Sequence, residues 1–224
     1  MANLYILATP IGNLEDITKR ALRILSEVDL ILCEDTRRIR KLLDYYNIKT
    51  PTLSYHQHSK IQKTDYIIQL LKEGKNLALV SDAGTPGISD PGGKLIELAI
   101  KQCSNLMIVP VPGPSALTAA ASVSGFFMDR FLFLGFPPNK NKRKKFFEEI
   151  INSKYPIIFY ESPYRILRTL EELENRNSEL KIMVARELTK KFETIYRGTI
   201  KEVIKKIKKD KIKGEFVVVV QNKK

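Results

Sequence analysis

The chain has 224 residues, enough for one large domain or two small ones with a real core. Its 38 Lys and Arg outweigh 25 Asp and Glu, and the net charge of +13 points to an anionic partner, nucleic acid first. No apolar run is long enough to span a bilayer and no signal-peptide pattern opens the chain, while Cys33 and Cys103 lie in apolar segments without metal-ligand spacing, so a cytoplasmic soluble protein with buried thiols is expected.

In chain order, residues 4–9 predict a short buried strand. Pro10, Ile11, Gly12 and Asn13 turn it into a helix from about Ile17, which Asp16 is placed to cap. The G-x-G-x-x-G pyrophosphate fingerprint is missing there, which argues against a dinucleotide enzyme. Residues 29–34 predict a second strand. At its carboxyl end Glu34, Asp35, Arg37 and Arg38 gather before a helix that buries Leu42 and Leu43. A third strand, 52–55, leads into His56, Gln57 and His58. Histidines one residue apart on extended chain point to opposite sides and chelate one metal poorly, so no metal site is expected. They remain candidates for acceptor contact or proton transfer.

A helix over 60–73 precedes residues 77–80, an apolar run suited to a strand covered on both faces. Four Gly and two Pro then fall within residues 84–93, a composition that supports neither helix nor ladder. Such a loop after a buried strand lies at the carboxyl edge of a sheet, where open α/β folds bind ligands, and Asp82 and Asp90 can accept hydrogen bonds there. A helix over 94–102 and a strand over 106–110 follow. Strands alternating with helices imply a largely parallel sheet. Pro114 suits the first turn of the next helix, whose many small residues call for close packing against a strand or a bound cofactor.

The pattern restarts near Gly125, which places the domain boundary at 112/113. Strands are expected at 131–136, 157–160, 182–187, 193–197 and 214–220, with a Lys-rich helix over 201–209. The run Lys140, Asn141, Lys142, Arg143, Lys144, Lys145 reads as an exposed basic face able to meet phosphates.

Taken in order, ATPIGNLEDIT, CEDTR, SDAGTPGISDPG, VPGPSALTAA, FLFLGF, ESPYR and ARELTKKFE resemble the ribosomal RNA small-subunit methyltransferase I family of the tetrapyrrole-methylase superfamily. The resemblance covers nearly the whole chain. It implies two α/β domains of tetrapyrrole-methylase type, over 1–112 and 113–224, with a largely parallel sheet in the first, a mixed sheet in the second and S-adenosylmethionine in the cleft between them, usually in a homodimer. It also implies methylation of a cytidine ribose 2′-hydroxyl in the decoding region of small-subunit rRNA. Carried over by motif, the cofactor positions are Pro10, Gly12, Asp82, Ala83, Gly84, Thr85, Pro86, Gly87, Ser115 and Ala116, with Arg186, Glu187, Gly214 and Glu215 on the second domain.

Transfer from a sulfonium to a hydroxyl needs alignment first and a proton acceptor second. Glu34, Asp35 and His56 are the candidate catalytic groups, with Asp82 nearby. Arg37, Arg38, Lys140, Lys142, Arg143, Lys144 and Lys145 are the candidate RNA contacts, and Tyr55 or Tyr164 could stack a splayed base. Two stretches depart from the family pattern: Ile39 replaces a usual Thr, and residues 56–60 read HQHSK where HEHNE is usual. The rival readings are a tetrapyrrole C-methylase and a non-catalytic RNA-binding assembly protein.

Overall fold

Short, mostly apolar runs become the five parallel strands of the first sheet, of which the central ones are covered on both faces. They are β1 (Ala2–Leu7), β2 (Leu30–Cys33), β3 (Thr52–Ser54), β4 (Leu77–Leu79) and β5 (Leu106–Val111), in spatial order β3-β2-β4-β1-β5. The computed structural model describes residues 1–56 and 61–221. It divides into two compact units, Met1–Ser115 and Ala116–Lys224.

Alternation along β4 shows how the first sheet is covered. Ala78 and Val80 pack with α1 (Lys19–Glu27) and α2 (Thr36–Tyr45) through Ile24, Leu25, Leu42 and Leu43. Leu77 and Leu79 pack with α3 (Ile61–Lys72) and α4 (Gly93–Gln102) through Ile67, Leu71, Leu95 and Ala99. The chain therefore changes faces between β3 and β4, and β4 inserts between β2 and β1. Leu77 pairs with both Leu4 and Leu30, so the three carboxyl ends lie side by side. This is the switch-point geometry at which open α/β sheets bind ligands.

The second unit contains α5 (Ala116–Ser122), β6 (Leu132–Phe133), α6 (Arg143–Asn152), β7 (Ile157–Glu161), α7 (Ile166–Glu174), β8 (Lys181–Arg186), β9 (Thr194–Thr199), α8 (Ile200–Ile207) and β10 (Phe216–Gln221). Its sheet runs β6-β7-β10-β8-β9, with β6 parallel to β7 and every other pair antiparallel. Phe147, Phe159, Leu170, Val203, Phe216 and Val218 form its core. The small residues of α5 allow that helix to pack on β10. The α/β class with one parallel and one mixed sheet is the expected one.

Several local expectations are corrected. The first helix begins at Lys19, and its cap is Thr18, whose hydroxyl accepts from the Ala21 amide at 3.1 Å. Asp16 sits instead in a short 3-10 turn, Leu14–Asp16. Pro114 precedes α5 by two residues, outside its first turn. The run at 131–136 yields only a two-residue strand, because Gly135 turns the backbone with φ 65°. Glu187 falls just past β8, in the left-handed region with φ 53°. Among the described residues no helix is long and apolar enough to cross a membrane.

Candidate active site

Three loops meet at the carboxyl edge of the first sheet. A pair of backbone hydrogen bonds between Thr9 and Gly84, at 2.9 and 3.0 Å, ties the β1 loop to the glycine-rich loop after β4. The buried Thr9 hydroxyl donates to the Ser81 carbonyl at 3.1 Å. The Ser81 hydroxyl reaches the Ala83 and Gly84 carbonyls at 3.2 Å each and also supports the Asp90 carboxylate. Gly84 holds φ at +81°, and a Cβ there would press on Ile11 at 3.4 Å, so a side chain at this crossing would be strained. Pro10 and Gly12 are thereby brought beside Ala83, Gly84 and Thr85, and the Thr85 hydroxyl donates to the Pro114 carbonyl at 3.3 Å, next to Ser115.

The third loop, after β2, supplies acid. The Asp82 amide donates to Glu34 at 3.4 Å, and Asp82 in turn accepts from the Asp35 amide at 3.2 Å and pairs with Arg38 at 3.2 Å. Asp90 stands close enough to Glu34 and Asp82 to feel both charges. Burial, then Glu34 and Asp82, push the Asp90 carboxyl up to about 6, against the opposing Ser81 hydrogen bond. Burial also raises Glu34, while the nearby His56 charge favours its ionised form. Arg38 pairs with Asp82, and the His56 charge acts on Glu34.

Asp35 behaves differently from its neighbours. It caps α2 by accepting from the Arg37 amide at 2.9 Å, and the Arg37 guanidinium grips it at 3.0 and 2.7 Å. Arg37 holds its carboxyl well below the usual carboxylate range, so Asp35 is a cap and a poor proton acceptor. Cys33, at the end of β2, has its thiol pushed up to about 11 by burial and the surrounding carboxylates, which keeps it from acting as a thiolate. Gln57, His58, Ser59 and Lys60 lie outside the described residues.

Basic residues predicted as RNA contacts divide sharply. Lys140, Lys142, Lys144 and Lys145 are exposed. Arg143 is buried, and each nitrogen of its guanidinium has a partner: it meets Glu172 at 2.9 Å, the Pro138 carbonyl at 2.9 Å and the Thr169 hydroxyl at 2.9 Å, and lies over the Phe147 ring. Arg143 is therefore corrected from RNA contact to internal brace. Glu161, wholly buried, accepts from Thr169 at 2.7 Å and pairs with Arg165 at 2.8 Å, so the ESPYR motif is part of the same brace.

A second group of predicted cofactor residues clusters within the second unit. The Glu187 carboxylate accepts from the Glu215 amide at 3.0 Å and pairs with Lys190 at 2.8 Å. Arg186 donates to the Lys213 carbonyl at 3.0 Å. Gly214 has φ +89°, and a Cβ there would collide with the Glu187 carboxyl, so only glycine lets the two segments close together. Thr189 adopts φ 65°, and its buried hydroxyl has no partner among the described residues.

The donor set suits S-adenosylmethionine. That molecule carries a sulfonium and an ammonium besides a carboxylate, a ribose diol and an adenine, and the edge offers clustered carboxylates beside a loop of glycine backbone. Sequence reasoning left Thr9 and Ser81 out of the candidate list. Their signal was available, since each is a hydroxyl residue immediately following a buried apolar run.

Comparison with known proteins agrees. Residues 3–204 match the tetrapyrrole (corrin/porphyrin) methylase family. The protein is 46% identical to the ribosomal RNA small subunit methyltransferase I of Thermotoga maritima over all of both chains. It is 46% identical to the protein of that name from Bacillus subtilis, covering 99% of this chain and 75% of that one. Among solved structures, diphthine synthase superposes with a TM-score of 0.76 at 12% identity, covering 100% of this chain and 90% of that one. A cobalt precorrin-4 methyltransferase superposes at 0.74 with 18% identity, covering 97% and 94%. On this fold, these loops and these relatives, the chain belongs to the tetrapyrrole methylase family and, within it, to the ribosomal RNA small subunit methyltransferases I.

Proposed function

We propose that the protein transfers the methyl group of S-adenosylmethionine to the ribose 2′-hydroxyl of a cytidine in the decoding region of small-subunit rRNA. The observation that carries the reading is the full-length similarity to relatives named for small-subunit rRNA, at about 46% identity. The charge of +13 and the exposed lysines of the second unit support an RNA partner. The family's habit of pairing extends the proposal to a homodimer working in the cytoplasm.

When bound, the cofactor supplies an activated methyl on a sulfonium. The residues' work is binding, alignment and proton acceptance. Asp82, Asp90 and the backbone of Pro10, Gly12 and 83–87 are assigned to its cationic and polar groups, with Ser115 and Ala116. The assignment extends to Arg186, Glu187, Gly214 and Glu215. Asp35 is committed to α2, so proton acceptance passes to Glu34, whose carboxyl burial raises, and to Asp90, pushed up to about 6. The His56 charge opposes the rise that burial imposes on Glu34. A deletion strain tests the reading: mass spectrometry of its small-subunit rRNA should show one ribose methyl missing, and the restored gene should return it. An intact methylation pattern, or a methyl lost from a porphyrinogen-derived product instead, would defeat the proposal.

A further inference from the structure

A groove of about 140 Å³ lies wholly within the first unit, between the β1 loop and α2. That volume is below the roughly 300 Å³ at which pockets for drug-sized ligands begin, so it suits one sugar or one base. Pro10, Leu14 and Leu42 give it apolar walls, and the Tyr46 hydroxyl, donating to the Leu14 carbonyl at 2.8 Å, fixes one wall to the end of α2. Arg38 and Lys41 are its cations, and both are exposed. Arg38 is partly neutralised by Asp82, whereas Lys41 has no ion pair among the described residues. The hydroxyls of Thr9 and Ser81 also line the groove but are taken up by backbone carbonyls, so recognition there is cationic and apolar.

We infer that this groove is a subsite for one nucleotide of the RNA acceptor, with Lys41 and Arg38 on its phosphate and the apolar walls against its sugar or base; the inference rests on the ribosomal RNA reading above. Lys41, without an ion pair among the described residues, and Arg38, partly neutralised by Asp82, would attract a phosphodiester. Asp82 lines the groove and also belongs to the carboxylate edge, so an occupant abuts the site of transfer. Lys41 supplies the charge that the groove presents free, at a position outside the motifs that mark the family.

The test is Lys41→Ala, with Lys41→Arg beside it, in methyl transfer to purified small subunits. The alanine variant should raise the KM for subunits by about tenfold with kcat little changed, and its salt dependence of RNA binding should become shallower by roughly 0.7 to 1. Cofactor affinity by calorimetry should stay at the wild-type value, and the arginine variant should restore KM. Unchanged KM and salt slope in the variant, or weakened cofactor binding instead, would overturn the subsite. If the wild type fails to methylate small subunits, the ribosomal RNA reading falls by itself. Binding of a single-stranded oligoribonucleotide then judges the groove separately: equal affinity in wild type and Lys41→Ala overturns it, and weaker affinity in the variant upholds it.

Discussion

At the edge of the first sheet Glu34, Asp82 and Asp90 are half-buried, and the exposed Arg38 pairs with Asp82. In the second unit Glu161 and Glu172 are served by Arg143, Arg165, Arg168 and the Thr169 hydroxyl, with Glu161 wholly buried. The residue types are the same and the pairing differs. Charges removed from water are tolerated when their lone pairs and protons are all matched, and such a cluster fixes the geometry of the loop it holds. Charges left short of partners at an open edge keep their binding capacity for a ligand. The completeness of pairing, more than the presence of acid and base, separates brace from site here.

The largest effect should come from breaking the brace. Glu161→Ala removes the buried carboxylate that pairs with Arg165 and accepts from the buried Thr169 hydroxyl, and should cost about 3–5 kcal/mol in urea unfolding. A loss under about 1 kcal/mol would mean that the network carries no structural duty. Asp82→Ala should do the reverse, leaving the melting temperature nearly unchanged while cofactor affinity falls about 10- to 100-fold by calorimetric titration. Equal affinity in that variant would remove the edge from donor binding.

The basic run sharpens the same contrast. Replacing Lys140, Lys144 and Lys145 with alanine should flatten the salt dependence of RNA binding by up to about 2, near 0.7 for each phosphate contact, without loss of stability. Arg143→Ala should instead destabilise the unit and leave the slope alone. An equal change of slope in both variants would erase the distinction between outward lysines and inward arginine.

The smallest effect concerns Asp90. Its carboxyl titrates at about 6 when folded, against about 3.9 in an unfolded chain, so ionising it works against the folded state. Its contribution to stability is therefore full below about pH 4, falls as pH rises to about 6, and stays lower beyond. Asp90→Asn should remove that decline, making the variant about 1 kcal/mol more stable relative to wild type at pH 8 than at pH 4, after allowance for the exposed half of the group. Parallel stability profiles for the two proteins would place Asp90 in an ordinary solvated setting.

Much of the fold was legible because parallel strands covered on both faces are written as unbroken apolar runs, as in residues 77–80, and loops as clusters of Gly and Pro. The meeting of Asp82 with Glu34 was legible only as proximity to strand ends, and the motif resemblance supplied the rest. What stayed hidden depends on partners far along the chain. Arg143 finds Glu172 and Thr169 on another helix, more than 25 residues away, and a run of six mostly basic residues gives no sign that one of them turns inward. The helix start at Lys19 was missed because Asp16 and Thr18 are both good caps, and the 3-10 turn decided between them.

The central claim is most directly tested by incubating the purified protein with methyl-labelled S-adenosylmethionine and either small ribosomal subunits or a porphyrinogen. The account predicts label on a single cytidine of the small-subunit rRNA, at the ribose, and none on the tetrapyrrole. Label on the porphyrinogen with none on the subunit would contradict it.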